Sequence, residues 1–151
     1  MGYTLEAVIG SAGALEAFVR RWAVAVAVPL AQGLVLVPMT DELFDAIGAG
    51  ADEMLGFWRL PAGFGRLPAG GPVAYVEAEI FGGVGSQRAA LWTGGELALG
   101  PLTLEEGEEF APEGSPISQV LARLGVRRDG QRDEFDSVGL DRHRHTEDWL
   151  S

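Results

Sequence analysis

Two glutamates and a tyrosine alternate along residues 73–87, VAYVEAEIFGGVGSQ. Read as a strand, this stretch puts Val73, Tyr75, Glu77 and Glu79 on one face and Ala74, Val76, Ala78 and Ile80 on the other. The second set is apolar and belongs against a core. Glu77 and Glu79 are expected roughly 7 Å apart at two-residue strand spacing. Paired glycosidase carboxylates span about 5–9 Å, so the spacing permits acid–base chemistry or cation binding. The same alternation is ordinary for the solvated face of an antiparallel sheet, and that is the favoured reading.

Other chemistry-bearing residues are sparse. The glycine-rich residues 81–87, FGGVGSQ, follow a strand as phosphate loops do. They lack the P-loop spacing and its lysine, and Gly83-Val84-Gly85 lacks the third glycine of a dinucleotide fingerprint. A structural turn is the favoured reading, with Gly82, Gly83 and Gly85 permitting close approach of another backbone. His143 and His145 lie in DRHRHTED, residues 141–148. Interleaved arginines disfavour a divalent cation there, and a surface loop with weak salt links is expected. Ser86, Ser115, Ser118 and Ser137 stand in no GxSxG elbow. With no cysteine, thiolate metal sites and cysteine nucleophiles are excluded. No metal site, cofactor or catalytic set is assigned. A second arrangement is a ligand site formed by Tyr75, Glu77, Glu79, Gln87, Arg142 and His143, if DRHRH folds onto the strand end.

Composition narrows the partners. The 151 residues fit a single domain, 1–151, with enough chain for a core. Acidic residues number 22 against 11 basic, giving a net charge of −11, and every basic residue is arginine. Phosphate-directed nucleic-acid binding needs clustered cations, so it is not expected. The acidic excess peaks at EEGEE, where Glu105, Glu106, Glu108 and Glu109 are carried, and suits solubility or a basic partner. MGYTLEAVIG lacks the features of a signal peptide. Residues 23–39 are uncharged but hold Pro29, Gln32, Gly33 and Pro38. Two buried strands joined by a turn explain them better than a membrane span. No membrane association is expected, and a cytoplasmic location is.

The elements that must position these groups follow from local pattern. Residues 3–9 alternate as a first strand. Ser11 caps a helix to about Trp22, with Leu15, Phe18, Val19 and Trp22 on one face. Residues 24–28 and 34–37 read as strands apolar on both faces, hence central. Thr40 opens a helix with Asp41 and Glu42 in its first turn, ended by Gly48 or Gly50. Residues 54–58 suggest a short helical turn in which Phe57 and Trp58 are partly exposed, and residues 61–72 a loop. Residues 87–92 and 96–99 form a hairpin around Thr93-Gly94-Gly95. Residues 104–114 form an acidic loop. Ser115 with Pro116 starts a helix closed by Gly125; residues 127–133 form a polar turn and residues 134–140 a loop or short helix. The fold class is α+β (or α/β), with a mostly antiparallel or mixed sheet of about five to six strands and three to four helices.

Residues 75–87, YVEAEIFGGVGSQ, and 133–150, DEFDSVGLDRHRHTEDWL, together resemble a group of small, acidic, largely uncharacterised bacterial proteins of actinobacteria and bacilli. The shared patterns are YVExExFGGxGxQ and DEFDxVGLxRxRxxEDW. Some such proteins look like immunity proteins that neutralise secreted toxins. The resemblance implies an immunity-type role; small size, strong acidity and the lack of a readable catalytic set favour a binding module for a basic partner protein, as a monomer or homodimer, over an enzyme. Expected contacts are Glu77, Glu79, Glu105, Glu106, Glu108 and Glu109, with Phe57 or Trp58 as an apolar anchor. The alternative is a small-molecule binder or hydrolase using Glu77 and Glu79.

Overall fold

The computed structural model of the chain describes residues 2–47, 57, 70–81, 84–109, 112, 114–128, 130 and 133–150, with the side chain of residue 84 excepted. The expected turn at 54–58, apart from Phe57, lies outside them, as do residues 61–69 of the expected loop and Gly48 and Gly50.

Six strands form one antiparallel sheet, ordered β2-β3-β1-β4-β5-β6. They are β1 (Gly2–Ser11), β2 (Val28–Pro29), β3 (Leu34–Pro38), β4 (Val73–Phe81), β5 (Val84–Thr93) and β6 (Glu96–Leu104). The described helices are α1 (Ala12–Arg21), α2 (Asp41–Ile47), α3 (Pro116–Arg123) and α4 (Glu134–Val138), with short 3-10 turns at Leu140–Arg142 and Thr146–Leu150. The expected α+β class holds. No described helix is long and apolar enough to cross a membrane.

Local chemistry places the elements. The Ser11 hydroxyl accepts from the Ala14 amide at 3.0 Å and starts α1. Thr40 Oγ1 accepts from Leu43 N at 3.2 Å at the start of α2. Gly94 and Gly95 have φ of 61° and 85°, the positive pair that a two-residue hairpin of matching twist requires. Gly85 of β5 answers a different need. A Cβ there would collide with the backbone of Glu79 and Ile80 on β4. The backbone it admits is therefore that of the neighbouring strand, with which β5 pairs from Val84 opposite Phe81 onward.

Both faces of the sheet are covered. On one, Leu5, Ala7 and Ile9 of β1 and Ala74, Val76 and Ala78 of β4 pack with Ile117, Val120 and Leu121 of α3, Val138, Leu140 and Trp149. On the other, Val8, Val37, Val73, Tyr75 and Trp92 pack with Leu15 and Phe18 of α1, Leu43 of α2, Met39 and Phe57. An antiparallel sheet usually leaves one face to water; here neither face of β4 meets solvent until Glu79, because every side chain from Val73 to Ala78 is buried.

The strand expected at 24–28 is corrected. Only Val28–Pro29 is strand, it forms the sheet edge, and Val24 and Val26 are exposed at 39% and 43%. An uncharged run reads as interior, but two residues pair with β3 and the rest approaches the sheet as irregular chain. The 34–37 strand does lie inside the sheet, between β2 and β1.

Candidate functional site

The pairing register lines up a polar row across three strands. Glu6 of β1 stands opposite Glu77 of β4, and Glu77 stands opposite Arg88 of β5. Directly opposed residues share a sheet face. The next row is apolar except for its centre, where Tyr75 lies between Val8 and Ala90. The Tyr75 hydroxyl donates to Glu77 Oε2 at 3.0 Å, and neither residue is accessible to solvent. Phe57 lies edge-on to the Tyr75 ring with centroids 5.5 Å apart. Glu6 reaches the other way, its Oε2 accepting from Thr146 Oγ1 at 3.4 Å. Arg88 Nη2 donates to Glu105 Oε1 at 3.2 Å. Glu6, Glu77 and Arg88 each have interactions beyond these.

This arrangement corrects the expected solvated face at Glu77. A buried carboxylate is costly unless it is hydrogen-bonded or paired. Tyr75 supplies a hydrogen bond and the strand register an arginine directly opposite. Glu77 therefore belongs to the interior and cannot meet a partner on the surface of the folded chain. Glu79, two residues on, is exposed, opposite Thr4 and Ser86. The two carboxylates share a face but not an environment. Phe57 is also corrected as an exposed anchor: it is only 4% exposed and part of the core. Trp58 lies outside the described residues.

The six groups of the second arrangement do not converge. Tyr75 and Glu77 meet. Gln87 points to the opposite face, where its Oε1 accepts from the Ile117 amide at 3.1 Å, inside the first turn of α3. That turn needs the bond, because Pro116 has no N–H and Ser115 Oγ accepts from Ser118 N. Arg142 and His143 pack on Trp149, the guanidinium carbon 5.1 Å from the indole centroid and the imidazole centroid 4.7 Å away. Arg142 Nη2 also donates to Pro29 O at 2.7 Å. Trp149 belongs to the α3 side of the sheet, so these groups lie across the sheet from Glu77.

The segment Arg144–Thr146 does fold onto a strand, β1, through one backbone carbonyl and one hydroxyl. β3 pairs with β1 only from Ala7 to Ser11. Beyond that, Thr4 N donates to Arg144 O at 2.7 Å and Glu6 N to Thr146 Oγ1 at 3.1 Å. The segment thereby occupies a stretch of β1 edge that β3 leaves open. Tyr3 joins the same corner through its hydroxyl, which donates to Leu140 O at 2.9 Å. Burial, and to a lesser degree the Asp141 carboxylate, push the Tyr3 phenol well above its ordinary pKa. Among the described residues no group of three or more histidines and carboxylates could hold a metal ion.

What remains on the surface is the acidic segment after β6. Glu105, Glu106, Glu108 and Glu109 are all exposed. Glu108 Oε1 accepts from the Glu105 amide at 2.8 Å, which folds the segment into a tight turn. Beside it, between β6 and the start of α3, lies a cleft of about 330 Å³ lined by Leu102, Thr103, Leu104, Glu108, Glu109, Gly114, Pro116 and Gln119. Sequence reading found the acidic turn but missed Glu6 and Arg88, since only strand register brings them to Glu77.

The chain matches no family model, no curated protein and no solved structure.

Proposed function

We propose that this chain is a binding module of the immunity or inhibitor type, acting in the bacterial cytoplasm on a basic partner protein such as a toxin. The observation that carries the reading is the exposed acidic turn of Glu105, Glu106, Glu108 and Glu109 on a chain of net charge −11. The turn follows directly on β6, and the cleft beside it is shared with the start of α3. A single-sign patch of this kind steers an oppositely charged partner and suppresses acidic competitors. Glu79, opposite Ser86 near the same end of the sheet, adds a further exposed carboxylate. Glu77 takes no part in docking in this reading; it holds the strand that supports the surface.

The test is affinity capture from a bacterial lysate, with the intact protein as bait, at about 0.02 M and about 0.5 M salt, concentrations that bracket the screening of exposed pairs. The expected result is a basic protein retained stoichiometrically at low salt and released at high salt. It should also be lost when Glu105, Glu106, Glu108 and Glu109 are all replaced by Gln. A partner indifferent to both changes overturns the reading.

A further inference from the structure

We propose that the cleft between β6 and α3 is a receptor for one arginine or lysine side chain of the partner protein. The inference rests on the binding-module reading and names the chemistry of its central contact. The cleft joins two kinds of wall. Leu102, Leu104 and Pro116 supply apolar lining, and Glu108 and Glu109 line it as well. A long basic side chain has the matching anatomy, an aliphatic stem ending in a cation. The volume of about 330 Å³ lies at the small end of ligand pockets, which suits a side chain better than a cofactor.

The adjoining segment of the same chain already displays the chemistry. Glu105 accepts a guanidinium N–H from Arg88 at 3.2 Å, so one carboxylate of this turn is engaged with a cation of the protein itself. Glu108 uses one oxygen on the Glu105 amide. Glu109 lines the cleft without a hydrogen bond or ion pair among the described residues. Its carboxylate and the second oxygen of Glu108 are the acceptors left for an incoming donor. Gln119 also lines the cleft, its Nε2 donating to Gly114 O at 2.9 Å.

The experiment is an NMR titration of the full chain with the peptide amide Gly-Gly-Arg-Gly-Gly, and with the same peptide carrying citrulline, which keeps the shape and removes the charge. Binding in the millimolar range is expected for one side chain. The amides of Leu102, Glu108, Glu109 and Gln119 should shift together, and citrulline should bind at least about tenfold more weakly. Gln119→Trp fills the cleft without changing the charge and should abolish the shifts, whereas Gln119→Ala leaves it open and should keep them. Both variants are first checked for an unchanged fold by their amide spectra away from α3. Shifts spread evenly over Glu79, Glu96 and Glu106, or shifts that survive Gln119→Trp, overturn the proposal. So does stronger binding of spermidine than of the peptide at the same residues.

Failure here is separable from failure of the functional reading. Salt-sensitive capture of a basic protein that Gln119→Trp leaves unchanged would sink the cleft and keep the acidic module. Peptide seated in the cleft with no salt-sensitive partner would do the reverse.

Discussion

Tyr75 and Glu77 are successive residues on one face of β4, and the phenol donates to the carboxylate at 3.0 Å with both fully buried. The bond turns what looks like a reactive carboxylate into an internal strut. It lies where β1, β4 and β5 meet, between Glu6 and Arg88. Tyr75→Phe removes the donor and leaves the oxygen in place. The expected loss is about 1–3 kcal/mol, the cost of a buried polar group deprived of a partner. Glu77→Ala should cost more, about 3 kcal/mol or above, since it removes the buried acceptor of the Tyr75 hydroxyl and the carboxylate that faces Arg88 across the strands. Urea denaturation checks both. A Glu77→Ala midpoint equal to that of the wild type would mean that the carboxylate has no structural role.

Gln87 does for α3 what a capping residue does, from a different element. Its side chain crosses from β5 to the Ile117 amide. Gln87→Leu keeps the volume and abandons that amide in a buried position. The expected destabilisation is about 1–3 kcal/mol, and hydrogen exchange at Ile117 should accelerate more than exchange in β4. Ser115→Ala, which removes the Ser118 cap, should cost about 1 kcal/mol. The two changes act on one helix start, so the double variant should depart from additivity. Simple additivity would show that the two bonds act independently.

Local rules carried much of the fold. Ser11, Thr40 and Ser115 cap the helices expected of them, and Gly94-Gly95 closes the hairpin between β5 and β6. These signals depend on neighbours within a few residues. Glu77 failed for the opposite reason. Alternation divides a strand into two faces, but it does not say that both are covered, and here α1, α2 and Phe57 cover the face that looked polar. Register is equally non-local: nothing near Glu6 or Arg88 in sequence announces that both oppose Glu77. The segment 24–28 shows a further limit. Its valines have strand propensity and no charge, yet only Val28 and Pro29 find a partner strand.

Tyr3 makes stability fall in alkali. Its phenol is raised above the ordinary value by burial and then by Asp141, so the folded state holds the proton more tightly than the unfolded chain. The stabilisation is fully present below the unfolded pKa of about 10 and is lost as pH rises from there toward the folded value. At neutral pH, Tyr3→Phe should be less stable by about 1 kcal/mol through loss of the bond to Leu140 O. From about pH 10 upward the wild type should lose its advantage, by of order 1 kcal/mol per pH unit at most. Parallel pH profiles for the two proteins would show that Tyr3 does not titrate differently on folding.

The acidic turn should separate binding from stability. Replacing Glu105, Glu106, Glu108 and Glu109 by Gln removes four negative charges, taking the net charge from −11 to −7. The affected ion pair, Glu105 with Arg88, has a carboxylate side chain that is 56% exposed. Such pairs contribute about 0–1 kcal/mol, and relief of repulsion among four close glutamates offsets the loss. Thermal unfolding should therefore shift little, by no more than about 1 kcal/mol in stability. Association with a basic partner should slow by tenfold or more at low salt, with the difference shrinking as salt screens the remaining charge. Glu77 supplies the contrast: its removal should weaken the fold, while any correctly folded fraction still binds. If the four-fold variant unfolds and the Glu77 variant is the one that stops binding, the roles assigned to interior and surface carboxylates are reversed.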